Sequence, residues 1–184
     1  MLANTYRRQL REVALDQHGF VTTDDARALG VPPRELPLIA RRGGVTRVGQ
    51  GVYRFDDIPV GAHDGYMEAV LLVGPGAMLA GDAVLSMLGL ALANPKRIRV
   101  VTPHRVRRTL PAFIELVRRP LRDDAEQTTY EGVPAQRLAA AIRESRGMVM
   151  AERLLDAVRE AKERGLLRST EARELELELS SENP

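Results

Sequence analysis

A chain of 184 residues, 44% of them hydrophobic and none of them cysteine, can fill one sizeable core or two small ones. It excludes a disulfide scaffold and a thiolate metal site. The net charge of +2 conceals an uneven distribution, since residues 1–60 hold 9 Lys+Arg against 7 Asp+Glu, residues 61–122 hold 9 against 4, and residues 123–184 hold 9 against 14.

A basic front and an acidic rear predict two different partners. Lys96 and Lys162 are the only lysines, so the remaining cations are arginines, which pair bidentately with phosphate. No basic-then-apolar leader precedes Asn4, and charges and glycines interrupt the apolar region Tyr66–Ala93 before the ~18 residues a membrane span needs. The expectation is a cytoplasmic protein without a membrane partner.

Asn4 to Gln17 reads as an amphipathic helix, with Tyr6, Leu10, Val13 and Ala14 on one face and Arg7, Arg8 and Arg11 on another. Arg7 or Arg8 can reach a nucleic-acid backbone or simply be solvated. His18-Gly19 ends the helix, and Phe20-Val21 reads as a short strand.

From Thr22 to Phe55 the pattern is helix, glycine turn, helix, hairpin. Thr22 or Thr23 can cap the first helix, with Asp24 and Asp25 at its positive end. Leu29 closes it and Gly30 supplies the turn. Pro33 suits the first position of the second helix, whose inner face is Leu36, Ile39 and Ala40. Arg34, Glu35, Leu38, Arg41 and Arg42 fall opposite. Pro37 is expected to shift or kink the first turn. Val45–Val48 and Val52–Phe55, separated by Gly49-Gln50-Gly51, make a hairpin.

Helix-turn-helix followed by a β-ribbon is the layout of a winged helix, which places one helix in the DNA major groove. Arginines recur on the exposed helix face, the helix end and the wing. Arg34, Arg41, Arg42, Arg47, Gln50 and Arg54 are therefore the candidate DNA-binding residues. A module used only for protein docking has the same layout, with Arg41 and Arg42 as a solvated helix end.

Asp56–Gly61 strings turn residues together and marks a boundary. The expected domains are residues 1–58, a winged helix-turn-helix, and residues 59–184, helices packed on a small, mostly antiparallel sheet, with the last few residues disordered. The fold class is α+β.

In the second domain helices are expected from Gly65 to Val73, capped by Asp64, and from Asp82 to about Leu92. Ala77–Ala80, Arg97–Thr102, Ala112–Arg118 and Thr128–Tyr130 read as strands. Further helices follow from Pro134 to about Gly147, from Val149 to Arg164, and from Ser169 or Thr170 through the ELELEL stretch, whose alternation is also strand-like. Ser180–Pro184 are expected to be disordered. Arg97, Arg99, Arg105, Arg107, Arg108, Arg118, Arg119 and Arg122 form a second basic set, with Arg97 and Arg99 on one strand face. That set can extend a DNA footprint, meet an acidic protein surface or a second protomer, or stand solvated.

Gly19–Thr23 (GFVTT), Ala28–Val31 (ALGV), Arg41–Gly43 (RRG) and the wing Val45–Arg54 occur in an order that resembles the N-terminal domain of the AbiEi-type antitoxins. Gly74–Leu90, the strand Arg97–Pro103 and the helix start Gly132–Leu138 look like the C-terminal domain of that group. The resemblance reaches to about Leu167. It implies an antitoxin that represses its own operon through the winged helix and counters a nucleotidyltransferase-like toxin through the C-terminal domain. Neutralisation by a direct complex and by opposing the toxin's effect both stay open.

Catalytic chemistry is not expected. His18, His63 and His104 lack metal-ligand spacing, Gly74-Pro75-Gly76 lacks the Lys-Ser/Thr of a phosphate loop, and Ser86 is not in a nucleophile elbow. Asp156 with Glu160-Ala161-Lys162 superficially resembles a nuclease Asp…Glu-x-Lys, but the pattern is helical and Glu160 with Arg164 reads as an exposed pair. The expected partners are operator DNA with repeated half-sites, bound by two protomers, and a cognate toxin, with no cofactor and no metal. The alternatives are a toxin-binding or docking module without DNA contact and a general transcriptional regulator.

Overall fold

The structure, a computed structural model, describes residues 2–121 and 126–181, with side chains from Thr5 onward. The chain forms two compact units. The first is Met1–Pro75 with Val106–Leu110 and Glu131–Val133; the second is Gly76–Arg105, Pro111–Tyr130 and Pro134–Pro184.

The first unit contains α1 (Leu2–Asp16), β1 (Phe20–Thr22), α2 (Thr23–Ala28), α3 (Glu35–Arg41), β2 (Val45–Gly49), β3 (Val52–Phe55) and α4 (Asp64–Val73). Its sheet has the order β1-β3-β2, antiparallel throughout, with Phe20 opposite Arg54 and Val45 opposite Phe55. Leu10, Val21, Val31, Leu36, Ile39, Val45 and Phe55 are buried in one cluster. Truncating Leu36 to alanine would remove transfer energy and leave a cavity, a loss of about 3 kcal/mol.

Local chemistry sets the helix ends. The Thr22 hydroxyl accepts from the Asp25 amide at 3.1 Å while the Asp25 carboxylate accepts from the Thr22 amide at 2.7 Å, a reciprocal cap. At the other end of α2 the Val31 amide donates to Ala26 and the Gly30 amide to Arg27, with Gly30 at φ +69. This motif needs a left-handed residue, which glycine supplies without a Cβ penalty.

The expected helix start at Pro33 is corrected. A turn closed by Glu35 N–H on the Pro32 carbonyl precedes α3, and Glu35 is its first residue. Pro37 therefore falls in the first turn, where an amide would lack a helical partner anyway. Of the shift or kink expected of Pro37, the structure shows the shift, with α3 starting at Glu35 rather than Pro33. The first unit also continues past the expected boundary after Ile58 and takes in α4, because Asp64 at the start of that helix is bonded to Arg54 of β3.

The second unit contains β4 (Met78–Leu79), α5 (Asp82–Met87), β5 (Ile98–Thr102), β6 (Ile114–Arg118), β7 (Gln127–Tyr130), all but the first residue of β8 (Val133–Gln136), α6 (Leu138–Glu144), α7 (Ala151–Glu163) and α8 (Ser169–Ser180). Strand order is β6-β5-β4-β8-β7. The fold is α+β, and this sheet is mixed: β4 runs antiparallel to β5 but parallel to β8, and β5 runs parallel to β6. The long connection from Pro103 to Phe113 permits the parallel return that a tight hairpin forbids.

Three further expectations change. Residues 133–136 are strand, not the start of a helix, and bury Val133, Ala135 and Gln136. The helix opened by Asp82 ends at Met87, because Leu90 and Gly89 turn back to bond Leu85 and Ser86. Ser180 is the last helical residue of α8, and residues 182–184, like Arg122 and the acidic Asp123 and Asp124, lie outside the described residues. The ELELEL stretch is helical: Ala172, Leu175 and Leu179 are buried and Leu177 is 66% exposed, which is a 3.6-residue rhythm rather than alternation.

Candidate nucleic-acid interface

The outward face of α3 and the edge strand β2 carry the candidate cations. The Arg34 side chain is 83% exposed, with Glu35 4.0 Å away. Arg41 and Arg42 are both exposed at the end of α3. Neither forms a side-chain bond or ion pair with any described residue.

The loop that follows them is held from behind by a residue whose role the sequence leaves open. Arg7 of α1 donates to the carbonyls of Gly43 and Gly44 at 3.0 and 3.3 Å, and its guanidinium lies 5.6 Å from the centroid of Phe55. These bonds tie the Gly43-Gly44 turn that follows α3 to α1. A second α1 arginine, Arg11, bonds Asp57 at 2.8 Å and holds that carboxyl below the usual aspartate range. The only sequence signal for both interactions is the arginine face of an amphipathic helix.

On the wing, Arg47 is exposed and donates to the Gly49 carbonyl at 3.1 Å. The Gln50 side chain is exposed, but its backbone is engaged, since Arg108 donates to the Gln50 carbonyl at 3.2 Å. Thr23 N–H bonds Gly51 at 2.9 Å, and a Cβ on Gly49 would meet the Leu72 side chain at 2.2 Å. The hairpin tip is thus packed among α2, α4 and the Val106–Leu110 segment.

Arg54 is a correction. Its guanidinium donates to the Asp64 carboxylate at 3.0 Å, to the Ile58 carbonyl at 3.0 Å and to the Phe55 carbonyl at 3.2 Å. It also lies over the Phe20 ring. Residue 54 lies on the opposite sheet face from Tyr53 and Phe55 of the buried cluster, and the Asp64 end of α4 covers it there. Sequence alternation alone does not tell that α4 returns to that face. Of the six candidates, the structure leaves Arg34, Arg41, Arg42, Arg47 and the Gln50 side chain exposed and withdraws Arg54.

The second basic set also divides. Arg97, Arg105, Arg107 and Arg118 are exposed, and Arg108 holds the wing as described. Arg99 is only 18% exposed, bonded to Glu115 at 2.9 Å and 3.6 Å from Asp82. Arg97 precedes β5, so the expected strand face shared with Arg99 does not form. Arg119 bonds Glu126 and, at 2.8 Å, Glu144, and the Glu126 hydrogen bond raises its pKa further. Gln136 completes that buried cluster by donating to Glu126 at 2.7 Å and Glu144 at 2.9 Å while its carbonyl accepts from Gly81 N–H. Arg99 and Arg119 therefore belong to the interior of the second unit rather than to a basic surface.

Asp156, Glu160 and Lys162 lie on α7, where Glu160 pairs with Arg164 at 3.0 Å and Asp156 with Arg159 at 3.2 Å, one helical turn apart as expected. Among the described residues no group of three or more acids or histidines is arranged to hold a metal, and no helix is long and apolar enough to cross a membrane.

Comparison with known proteins bears on the same segment. Residues 8–55 match the family AbiEi_4, described as "Transcriptional regulator, AbiEi antitoxin". The match runs from within α1 to the end of β3. Among solved structures the chain is similar, at 19% identity and a TM-score of 0.38, to the RV2827C protein from Mycobacterium tuberculosis, covering 94% of this chain and 81% of that one. No curated protein matches.

Proposed function

With residues 8–55 carrying the pattern of the AbiEi antitoxin regulators as premise, we propose that this chain is the antitoxin of a bacterial toxin–antitoxin pair and represses its own operon. The first unit grips operator DNA. Arg34 and Arg41 enter the major groove from α3, Arg42 and Arg47 meet phosphates, and the Gln50 side chain lies at the flank. Two protomers occupy repeated half-sites, as is usual for such modules. The second unit counters a nucleotidyltransferase-like toxin in the cytoplasm.

The observation that supports this reading best is the contrast among the arginines. Arg54, Arg99 and Arg119 are each neutralised by a carboxylate within 3.0 Å, whereas Arg41 and Arg42 stand exposed side by side at the end of α3, just before the turn that Arg7 holds. Unneutralised cations held in place are what a polyanion selects. The test is retention of the DNA upstream of the chain's own gene by the full-length protein. Binding that exceeds that of a random fragment and weakens steeply with salt is expected. Equal retention of both fragments would overturn operator recognition. Co-purification with the product of the neighbouring gene tests the toxin half.

A further inference from the structure

Between its two outward arginines, this face of α3 presents no hydrogen-bonding side chain. Residues at i, i+3, i+4 and i+7 share one helix face, so Pro37, Leu38 and Arg41 stand in line along α3, and Arg34, the N-cap residue at helical φ −76 and ψ −18, extends the row. Pro37 is exposed and Leu38 partly so, while the core-facing Leu36 and Ile39 are 0% and 2% exposed. Pro37 and Leu38 are therefore not needed for the buried cluster. A solvated helix face would ordinarily carry polar residues there.

We propose that this apolar centre reads the C5-methyl groups of thymine, which makes Pro37 and Leu38 the specificity-determining residues of the interface. The inference rests on the DNA-binding reading above and specifies what that interface selects. Seven residues of helix advance by about 10 Å, about three base-pair steps at ~3.4 Å each. Arg34 and Arg41 then bracket one or two base pairs that face only carbon.

A guanine O6 or cytosine amino group placed there would lose its water and gain no partner, which is unfavourable. A thymine methyl loses nothing polar and is removed from water. The prediction is a half-site with thymine on the contacted strand between the two arginines.

The test uses the upstream fragment made once with thymine and once with uracil, which lacks only the methyl. Wild-type protein should bind the uracil fragment about fourfold more weakly for each methyl it covers, with the same salt slope. The exposed double variant Pro37→Ala, Leu38→Ala should bind both fragments alike.

Equal affinity of wild type for the two fragments overturns this inference and leaves the DNA-binding reading intact. A preference for thymine that persists undiminished in the double variant also overturns it, since the preference would then come from DNA shape. Absence of binding to any fragment overturns both readings, and the apolar stripe then belongs to a protein interface.

Discussion

Arg54 and Asp64 join the last strand of the wing to the helix that follows it, through a 3.0 Å hydrogen bond between side chains 16% and 11% exposed. Asp64 also accepts from Gly61 N–H at 3.0 Å, and His18 lies 3.8 Å from it. The loop between β3 and α4 is thereby shaped by one guanidinium that reaches its carbonyls and its carboxylate together.

Arg54→Met should leave Asp64 buried without its cation and lower stability by about 3 kcal/mol, because breaking one partner of a buried pair strands the other charge. Denaturant titration measures the loss. The salt dependence of DNA binding by the folded variant should be unchanged. A reduced salt slope would return Arg54 to the phosphate-binding set.

Arg41→Ala with Arg42→Ala should behave in the opposite way. Both side chains are exposed, so stability should change by less than about 0.5 kcal/mol. Binding should weaken, and the slope of log affinity against log salt should flatten by about one, near 0.9 for the phosphate that Arg42 no longer neutralises. Gel shift at several salt concentrations separates this outcome from a simple loss of fold. An unaltered slope would remove Arg42 from the phosphate contacts, and an unaltered affinity would remove both arginines from the interface.

The contrast between these residues explains how far the sequence can be read. Thr22, Asp25 and Gly30 act within six residues of their partners, and caps and turns of that kind are local chemistry. Helical periodicity likewise places Leu36 and Ile39 correctly, and the N-terminal part of the resemblance to AbiEi antitoxins, Gly19–Phe55, falls within residues 8–55 that the family match recovers.

What stays hidden is set by pairing across long separations. The return of α4 to β3 decides the fate of Arg54, and the parallel register of β5 with β6 brings Arg99 against Glu115. Residues 134–136 read as helix from sequence because proline suits a helix start and an apolar helical pattern follows. The buried cluster of Gln136 with Glu126 and Glu144 holds them as strand instead.

Arg99 supplies a third prediction, in the second unit. It stands between Asp82 and Glu115, and burial raises the Asp82 carboxyl above its usual range. A raised folded pKa means that the ionised form is disfavoured, so this contribution is favourable below the unfolded value and is lost as pH rises through the folded one. Asp82→Asn should therefore be no less stable than wild type at pH 7. Arg99→Met, which leaves two carboxylates facing each other, should lose about 2–3 kcal/mol. Thermal melts of the two variants at pH 7 provide the comparison, and equal losses would argue that Asp82 depends on Arg99 as much as the reverse.

Glu178 of α8 has the opposite sign. It bonds Arg143 at 2.9 Å and Arg146 at 2.6 Å, and the Arg143 hydrogen bond draws its carboxyl below the usual glutamate value of 4.5. Its stabilising contribution is therefore fully present above pH 4.5 and is lost as pH falls through the lower folded value. The side chain is 37% exposed, so solvent screening limits the effect to about 0.5–1 kcal/mol. Glu178→Gln should show that deficit at pH 7 and lose it in acid, where the wild-type carboxyl is also neutral. Unfolding free energies of both proteins measured from pH 7 down to the acid limit of folding trace the difference. A gap that stayed constant with pH would assign the effect to packing of α8 rather than to charge.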